Sequence, residues 1–351
     1  MTFGLRNAST FVRARSPRFS RGIALVMMLT QRSPRALVLV VIFALYPTIT
    51  GFNLSRHSVP LDRIISTRGS MAGIDAITSP AFVTASKAAF LALDDRVVGV
   101  LINGKVRAYP LKILTWHQVV DDSIAGDPIA ITYCPLTAST FVYDRMLGKS
   151  MLVLETSDRL YDSNLLFYDR ATKSLWSQIK GEAIAGPLTG QRLNPRPSVV
   201  TPWGVWKVYH PNTVVLNASA SDTQNFARDA TARYEQAPGI VLPVSTLDHR
   251  LPPKERVLGL SINGADEAFP FISLGDSKPP VSTNVGGTPV TIAYDAASKT
   301  AGAVIAGKHV AAYTGFWFAW ATFHPNTTIW KSDGASIPVS ASTAVTPAPA
   351  E

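Results

Sequence analysis

Cysteine is almost absent: Cys134 is the only one in 351 residues. No internal disulfide can form, so nothing staples the chain covalently. Acidic residues are missing altogether from positions 1–35, which hold Arg6, Arg13, Arg15, Arg18, Arg21, Arg32 and Arg35. The formal net charge of +9 is therefore mostly a property of that leader, and the remainder is near neutral. A near-neutral remainder argues against nucleic acid as a partner, which would call for a basic patch on the folded part. Long apolar runs are scarce as well. The strongest, ALVLVVIFAL at 36–45, falls short of the about 20 residues that a membrane-spanning helix needs. The leader has no Arg-Arg pair, and the chain has no P-loop, dinucleotide fingerprint, GxSxG or clustered metal-ligand motif.

What is present begins with that leader. Arginines precede an apolar stretch and none interrupts it, the pattern of a secretory signal or an N-terminal signal anchor. Two outcomes stay open: cleavage near 48–51, or retention with the segment held in the membrane. Either one predicts an exported protein, membrane-anchored or extracytoplasmic. Charged residues are only 16% of the chain, with 25 prolines and 23 glycines, which favours many short strands and turns over long helices. The expected organisation is a signal segment over 1–51, a linker over 52–80, a β-rich first copy over 81–217, a connector over 218–254, a shortened second copy over 255–331 and a disordered tail over 332–351.

The two copies are visible in the residues. RVVGVLINGKVRAYPLKIL at 96–114 returns as RVLGLSINGADEAFPFISL at 256–274. GDPIAITYC at 126–134 returns as GTPVTIAYD at 287–295, and WGVWKVYHPNT at 203–213 as WFAWATFHPNT at 317–327. The Asn103-Gly104 and Asn263-Gly264 pairs mark two-residue hairpins, because both residues of a type I′ turn need positive φ. Residues 113–122 read as a short amphipathic helix with Ile113, Trp116 and Val120 on one face. The fold class expected is mainly β, with two related lobes from an internal duplication, few short helices, and a sandwich or barrel-like packing about a pseudo-twofold axis. His210 and His324, which recur within HPNT, are expected to be structural, capping a turn through a ring hydrogen bond.

What only one copy keeps is the candidate for chemistry. Cys134 ends a strand before Pro135, and a strand end holds a side chain rigidly at a cleft. His117 follows Trp116 and lies upstream of Asp121 and Asp122. A thiolate with an imidazole base is a nucleophile, and the same pair suits a soft metal such as copper(I); a site with no cofactor is the alternative. Free cysteine is also a common small core residue, and a helix-surface histidine is equally ordinary. Residues 160–193, present in the first copy only, concentrate Tyr161, Asn164, Asp169, Arg170, Trp176, Gln178 and Glu182. With Trp116 and Tyr133 they are candidates for the wall of a small-ligand pocket, or else they belong to a β-meander with polar turns.

The succession NG-x-x-RAYPL-x-IL-x-WH, G-x-P-x-x-x-TYCPL, NLLxYDR-x-T-x-SLWSQ, GEAIxGPLxGxRL and W-x-x-W-x-x-x-HP-x-T resembles the bacterial and archaeal family called domain of unknown function 3179. The resemblance spans about 80–331. It implies an exported or membrane-anchored protein and carries no established activity. Members commonly have Cys-Pro-Leu-Cys where this chain has Cys134-Pro135-Leu136-Thr137. A Cys-x-x-Cys pair there implies a redox dithiol or a soft-metal clamp, and this chain cannot make the dithiol. Three readings follow: a thiol or imidazole site, a non-catalytic envelope binding or scaffold module with an unknown small ligand or envelope partner, and a degenerate member keeping only the fold.

Overall fold

The computed structural model describes residues 51–67, 75–217, 231–333 and 336–337. Residues 1–50, which hold nearly all of the segment read as a signal or anchor, and the tail beyond 337 lie outside the described residues. No helix among the described residues is long and apolar enough to cross a membrane. The architecture is mainly β.

Each lobe contains the hairpin its Asn-Gly pair predicts. Arg96–Ile102 and Lys105–Pro110 pair antiparallel with Ile102 opposite Lys105, and Asn103 and Gly104 take φ of 49° and 73°. Arg256–Ile262 and Ala265–Pro270 do the same around Asn263 and Gly264, at 51° and 80°. A proline closes each hairpin and opens a short helix, Leu111–His117 in one lobe and Phe271–Gly275 in the other. The first helix is shorter than its sequence periodicity suggests. Gln118 turns left-handed at φ 55°, its N–H bonds back to the Leu114 carbonyl, and Val119–Ile124 leaves as a strand. Val120 is thus a strand residue, recruited by pairing with Asp127–Cys134.

Strand order repeats from lobe to lobe. In the first, Val199–Pro202, Arg96–Ile102, Lys105–Pro110, Val214–Asn217 and Ala81–Thr84 form one sheet. In the second, Tyr313–Phe316, Arg256–Ile262, Ala265–Pro270, Thr328–Trp330 and Ser336–Ile337 do so. The only parallel pairing in each, Val214 with Arg107 and Thr328 with Glu267, falls at the same place. The partner sheets also correspond: Val119–Ile124, Asp127–Cys134, Ser139–Asp144 and Pro195–Arg196 against Val281–Val285, Thr288–Asp295, Thr300–Ile305 and Lys308–Val310. Each lobe buries the space between its two sheets, around Val98, Tyr109, Ile129 and Ile131 in one and Leu258, Phe269, Val290 and Ile292 in the other. The sheets stay separate, in a propeller-like arrangement, and none closes into a barrel among the described residues.

The tryptophan–HPNT segments brace the two hairpins. Trp206 and Trp320 lie on the helices Trp203–Tyr209 and Trp317–Phe323, over Gly99 and Gly259. A Cβ at either glycine would collide with the indole, so glycine is required for close approach rather than for a turn. The indole N–H donates to Thr213 Oγ1 (3.0 Å) or Thr327 Oγ1 (2.8 Å). His210 and His324 place their rings on the same indoles, with centroids 4.0 and 3.7 Å apart. What the two histidines share is ring contact with tryptophan and a helix cap made by the backbone, each N–H donating to the tryptophan carbonyl at 2.9 Å, rather than a cap made by the ring. His324 alone adds an interaction with Asp266 (3.1 Å).

A further sheet belongs to the first lobe alone. It runs Ile64–Ser66, Leu154–Tyr161, Asn164–Asp169, Leu175–Ser177 and Glu182–Ala185, so part of the segment read as linker supplies an edge strand. This sheet covers the outer face of Asp127–Cys134. Along that strand Ile129, Ile131 and Tyr133 face one core, while Ala130 and Cys134 face another with Leu165, Phe167 and Trp176. A strand covered on both faces reads as continuously apolar. The equivalent strand in the second lobe has no such cover: Val290 and Ile292 are buried, and Ala293 and Asp295 are exposed. The cysteine/aspartate difference between the copies therefore follows from burial by the extra sheet.

Candidate functional site

Cys134 is 2% exposed and sits in the apolar cluster under that sheet. Its thiol points to the Ser163 carbonyl, 3.9 Å away. Burial raises its pKa, against a smaller opposing pull from Thr137. A nucleophilic or metal-binding cysteine needs the reverse: a cation, a protonated histidine or a metal to favour thiolate. The Cys134–Thr137 turn is also roofed. The Leu136 carbonyl accepts the Tyr234 hydroxyl (2.8 Å), and the Thr137 carbonyl accepts Phe316 N–H (2.9 Å). Ser163 Oγ donates to the Leu242 and Pro243 carbonyls. The connector and the second lobe thus close over it.

Beside the thiol lies a buried polar network. Asn164 Nδ2 donates to Thr137 Oγ1 (3.1 Å), Ser139 Oγ (3.3 Å) and Gln178 Oε1 (2.8 Å). Ser139 Oγ donates to Gln178 Oε1 (2.7 Å), and Gln178 Nε2 donates to Thr132 Oγ1 (3.2 Å) and the Ser139 carbonyl (3.1 Å). Asn164 Oδ1 accepts Ile179 N–H (3.2 Å). Thr132, Thr137, Ser139, Asn164 and Gln178 are all fully buried. The network is self-satisfied, as buried amides and hydroxyls must be.

The other sequence candidates lie apart from this cluster. His117 Nδ1 is 2.9 Å from the Asp75 carbonyl, and no hydrogen bond joins the ring to Cys134 among the described residues. Trp116 is half-buried beside it, and Tyr133 faces the opposite core from Cys134. Asp169 brackets its own turn, accepting Thr172 N–H and Oγ1 (both 2.7 Å), Ser174 N–H (3.2 Å) and the Trp176 indole N–H (3.2 Å). Tyr161 lies edge-on to Phe323, and Arg170 pairs with Glu155. Glu182 pairs with Arg192 (2.5 Å). Among the described residues no three His, Cys, Asp or Glu side chains are grouped to hold a metal. With one soft donor at Cys134, the residues there do not fit a copper clamp.

A family model described as "Protein of unknown function (DUF3179)" matches residues 71–307. The chain belongs to the DUF3179 family. No curated protein and no solved structure matches it. The matched span takes in both hairpins, the Cys134 turn and the extra sheet of this DUF3179 protein apart from its edge strand Ile64–Ser66. Thr137, which stands where the resemblance places a second cysteine, is a corner of the buried network.

Two buried ion pairs of the DUF3179 chain, at Asp121 and Asp122, are not announced by any sequence motif. Asp122 accepts the Tyr109 hydroxyl (2.5 Å) and pairs with Arg107, which lies over the Phe82 ring. Asp121 Oδ2, facing the other way, accepts Arg145 Nη1 (3.1 Å) and Leu154 N–H (2.9 Å). A signal was available: the second copy replaces Arg107, Tyr109, Asp121 and Asp122 by Glu267, Phe269, Ser282 and Thr283. Burial pushes Asp121 up to about 7, with Arg145 and the Leu154 N–H opposing. A carboxyl held above its unfolded value of 3.8 keeps its proton in the folded state and loses it on unfolding across that window. Its contribution to stability is greatest near pH 4 and is lost as pH rises to about 7. We expect denaturant titrations of Asp121→Asn to show a flatter pH profile than the parent, by roughly 2–4 kcal/mol between those limits. Parallel profiles would refute the assignment.

Proposed function

We propose that this chain is a non-catalytic binding or scaffold module of the cell envelope, exported by its N-terminal segment. The observation that carries the reading is the state of Cys134: buried, its thiol favoured over thiolate, and with no cation bonded to it among the described residues. The polar groups of the neighbouring network bond to one another rather than facing a substrate. The arginine-flanked apolar run at 36–45 supports export. The shared strand order, with the matching residues, supports descent of both lobes from one duplicated unit.

The test is alkylation of the native full chain by iodoacetamide as a function of pH, with copper content measured after purification from copper-supplemented cells. The expected result is slow reaction up to pH 9, fast reaction after unfolding, and sub-stoichiometric copper. Cys134→Ala remains folded. A native alkylation profile with an apparent pKa below about 7.5, the range of activated cysteines, would overturn the reading, as would one copper per chain lost in Cys134→Ala.

A further inference from the structure

Val281–Val285 is the outer strand of the second lobe's four-stranded sheet. Its counterpart in the first lobe, Val119–Ile124, is not left open. Ile77 lies parallel to it, donating its N–H to the Val119 carbonyl (3.0 Å) and accepting the Asp121 N–H (2.8 Å). Among the described residues no segment is bonded in this way to the outer edge of Val281–Val285. Pro289 decides which groups that edge presents. It stands opposite Asn284 and has no N–H, so this pair cannot exchange hydrogen bonds, and bonded and unbonded pairs alternate along an antiparallel ladder. Val281, Thr283 and Val285 therefore bond inward to Ile292, Val290 and Thr288, and the N–H and C=O groups of Ser282 and Asn284 point outward. Both residues are exposed. The strand holds no lysine, no other charged residue and no proline, the side chains that usually protect a sheet edge. The opposite edge of the same sheet, Lys308–Val310, does have a lysine.

We propose that a second copy of this chain occupies this edge, Val281–Val285 pairing antiparallel with the same strand of its partner about a twofold axis at Thr283. The strand is complementary to itself in that register. Each Ser282 faces the partner's Asn284, and the two residues exchange N–H···O=C bonds in both directions, so every outward group of both strands is satisfied. The two Thr283 residues meet in the unbonded pair at the axis, and Val281 faces the partner's Val285. A threonine pair across strands is favourable, and no like charges are opposed because the strand carries none. A twofold axis requires the antiparallel sense, unlike the parallel contact of Ile77. The contact is isologous and closes at two copies, joining two four-stranded sheets into one. The inference is independent of Cys134 and of the envelope reading.

The experiment is analytical ultracentrifugation of the full chain over a concentration series. The expected result is a mass that rises from one chain to two and no further. Ser282→Pro removes an N–H that the chain's own ladder does not use, and the dimer loses one hydrogen bond from each copy. Its dissociation constant should rise roughly tenfold or more. Disulfide formation gives a readout that does not depend on that variant. Cα atoms of an unbonded antiparallel pair lie about 4.5 Å apart, within disulfide reach. Cys134→Ala/Thr283→Cys treated with diamide should therefore become a covalent dimer. A mass of one chain at every concentration, equal dissociation constants for parent and Ser282→Pro, or no covalent dimer from the Thr283→Cys chain would overturn the inference. So would Ser282 and Asn284 amides protected from hydrogen exchange to the same degree at every concentration, because a segment of the same chain would then cover the edge.

Discussion

Trp320→Ala is expected to lower the unfolding free energy by roughly 3–5 kcal/mol, the range for removing a buried tryptophan. At about 2–4 °C per kcal/mol for a domain of a few hundred residues, the melting temperature falls by roughly 6–20 °C. Trp320 is 2% exposed and carries several contacts at once. It fills the space Gly259 leaves, carries the His324 ring, packs on Tyr313 at 5.3 Å, and donates to Thr327 Oγ1. Its cluster also includes Ala138 and Ile179 of the first lobe, so the cavity opens where the lobes meet. Thr327 is fully buried, and its hydroxyl loses this donor in the variant. Trp206→Ala, the equivalent change in the first lobe, should fall in the same range, since Trp206 makes the same contacts to Gly99, His210 and Thr213. A loss under about 1 kcal/mol in both variants would show that the repeated segments are not the braces described.

The features legible in the sequence are those whose causes are local or repeated. Asn103-Gly104 and Asn263-Gly264 dictate their own backbone, so both hairpins were readable at the residue. The tryptophan–HPNT segments were recognisable as framework because they occur twice, although the ring stacking was not, since glycine and indole meet across about a hundred residues or fewer of intervening chain in neither case marked by spacing. The helix over 113–122 failed at Gln118: periodicity describes a face, whereas pairing of Val119 with Thr132 decides which element that face belongs to. The candidate site was harder still. Cys134 differs from Asp295 because one strand is covered by an extra sheet and the other is not, which is a property of layering. Asn164 and Gln178 stand in the block that only one copy has, where the sequence offers them with other residues as candidates for a pocket wall. Their chain positions do not reveal that they turn inward onto Thr132, Thr137 and Ser139.

Gln178→Leu is the second large loss expected, by roughly 3–5 kcal/mol, and for a different reason. The side chains have similar volume, so little cavity forms; the cost lies in what is left behind. Ser139 Oγ and Asn164 Nδ2 lose their acceptor at Gln178 Oε1, and Thr132 Oγ1 and the Ser139 carbonyl lose their donor at Nε2. Each buried group stranded in this way costs about 1–3 kcal/mol. The remaining contacts, among them Thr137 with Ser139 (2.7 Å) and Thr132 with the Phe141 carbonyl (3.1 Å), keep the total below the full sum. The network reading makes a sharper claim than the size of this loss. Asn164→Leu strands an overlapping set of groups, so the double variant Gln178→Leu/Asn164→Leu should be less damaged than the two single losses added, with a coupling of about 1–3 kcal/mol. Additive losses in denaturant titrations would mean that the two amides act separately. In that case Thr137 would be an isolated hydroxyl beside Cys134 rather than a corner of a closed network, and the structural role assigned to this part of the fold would fail with it.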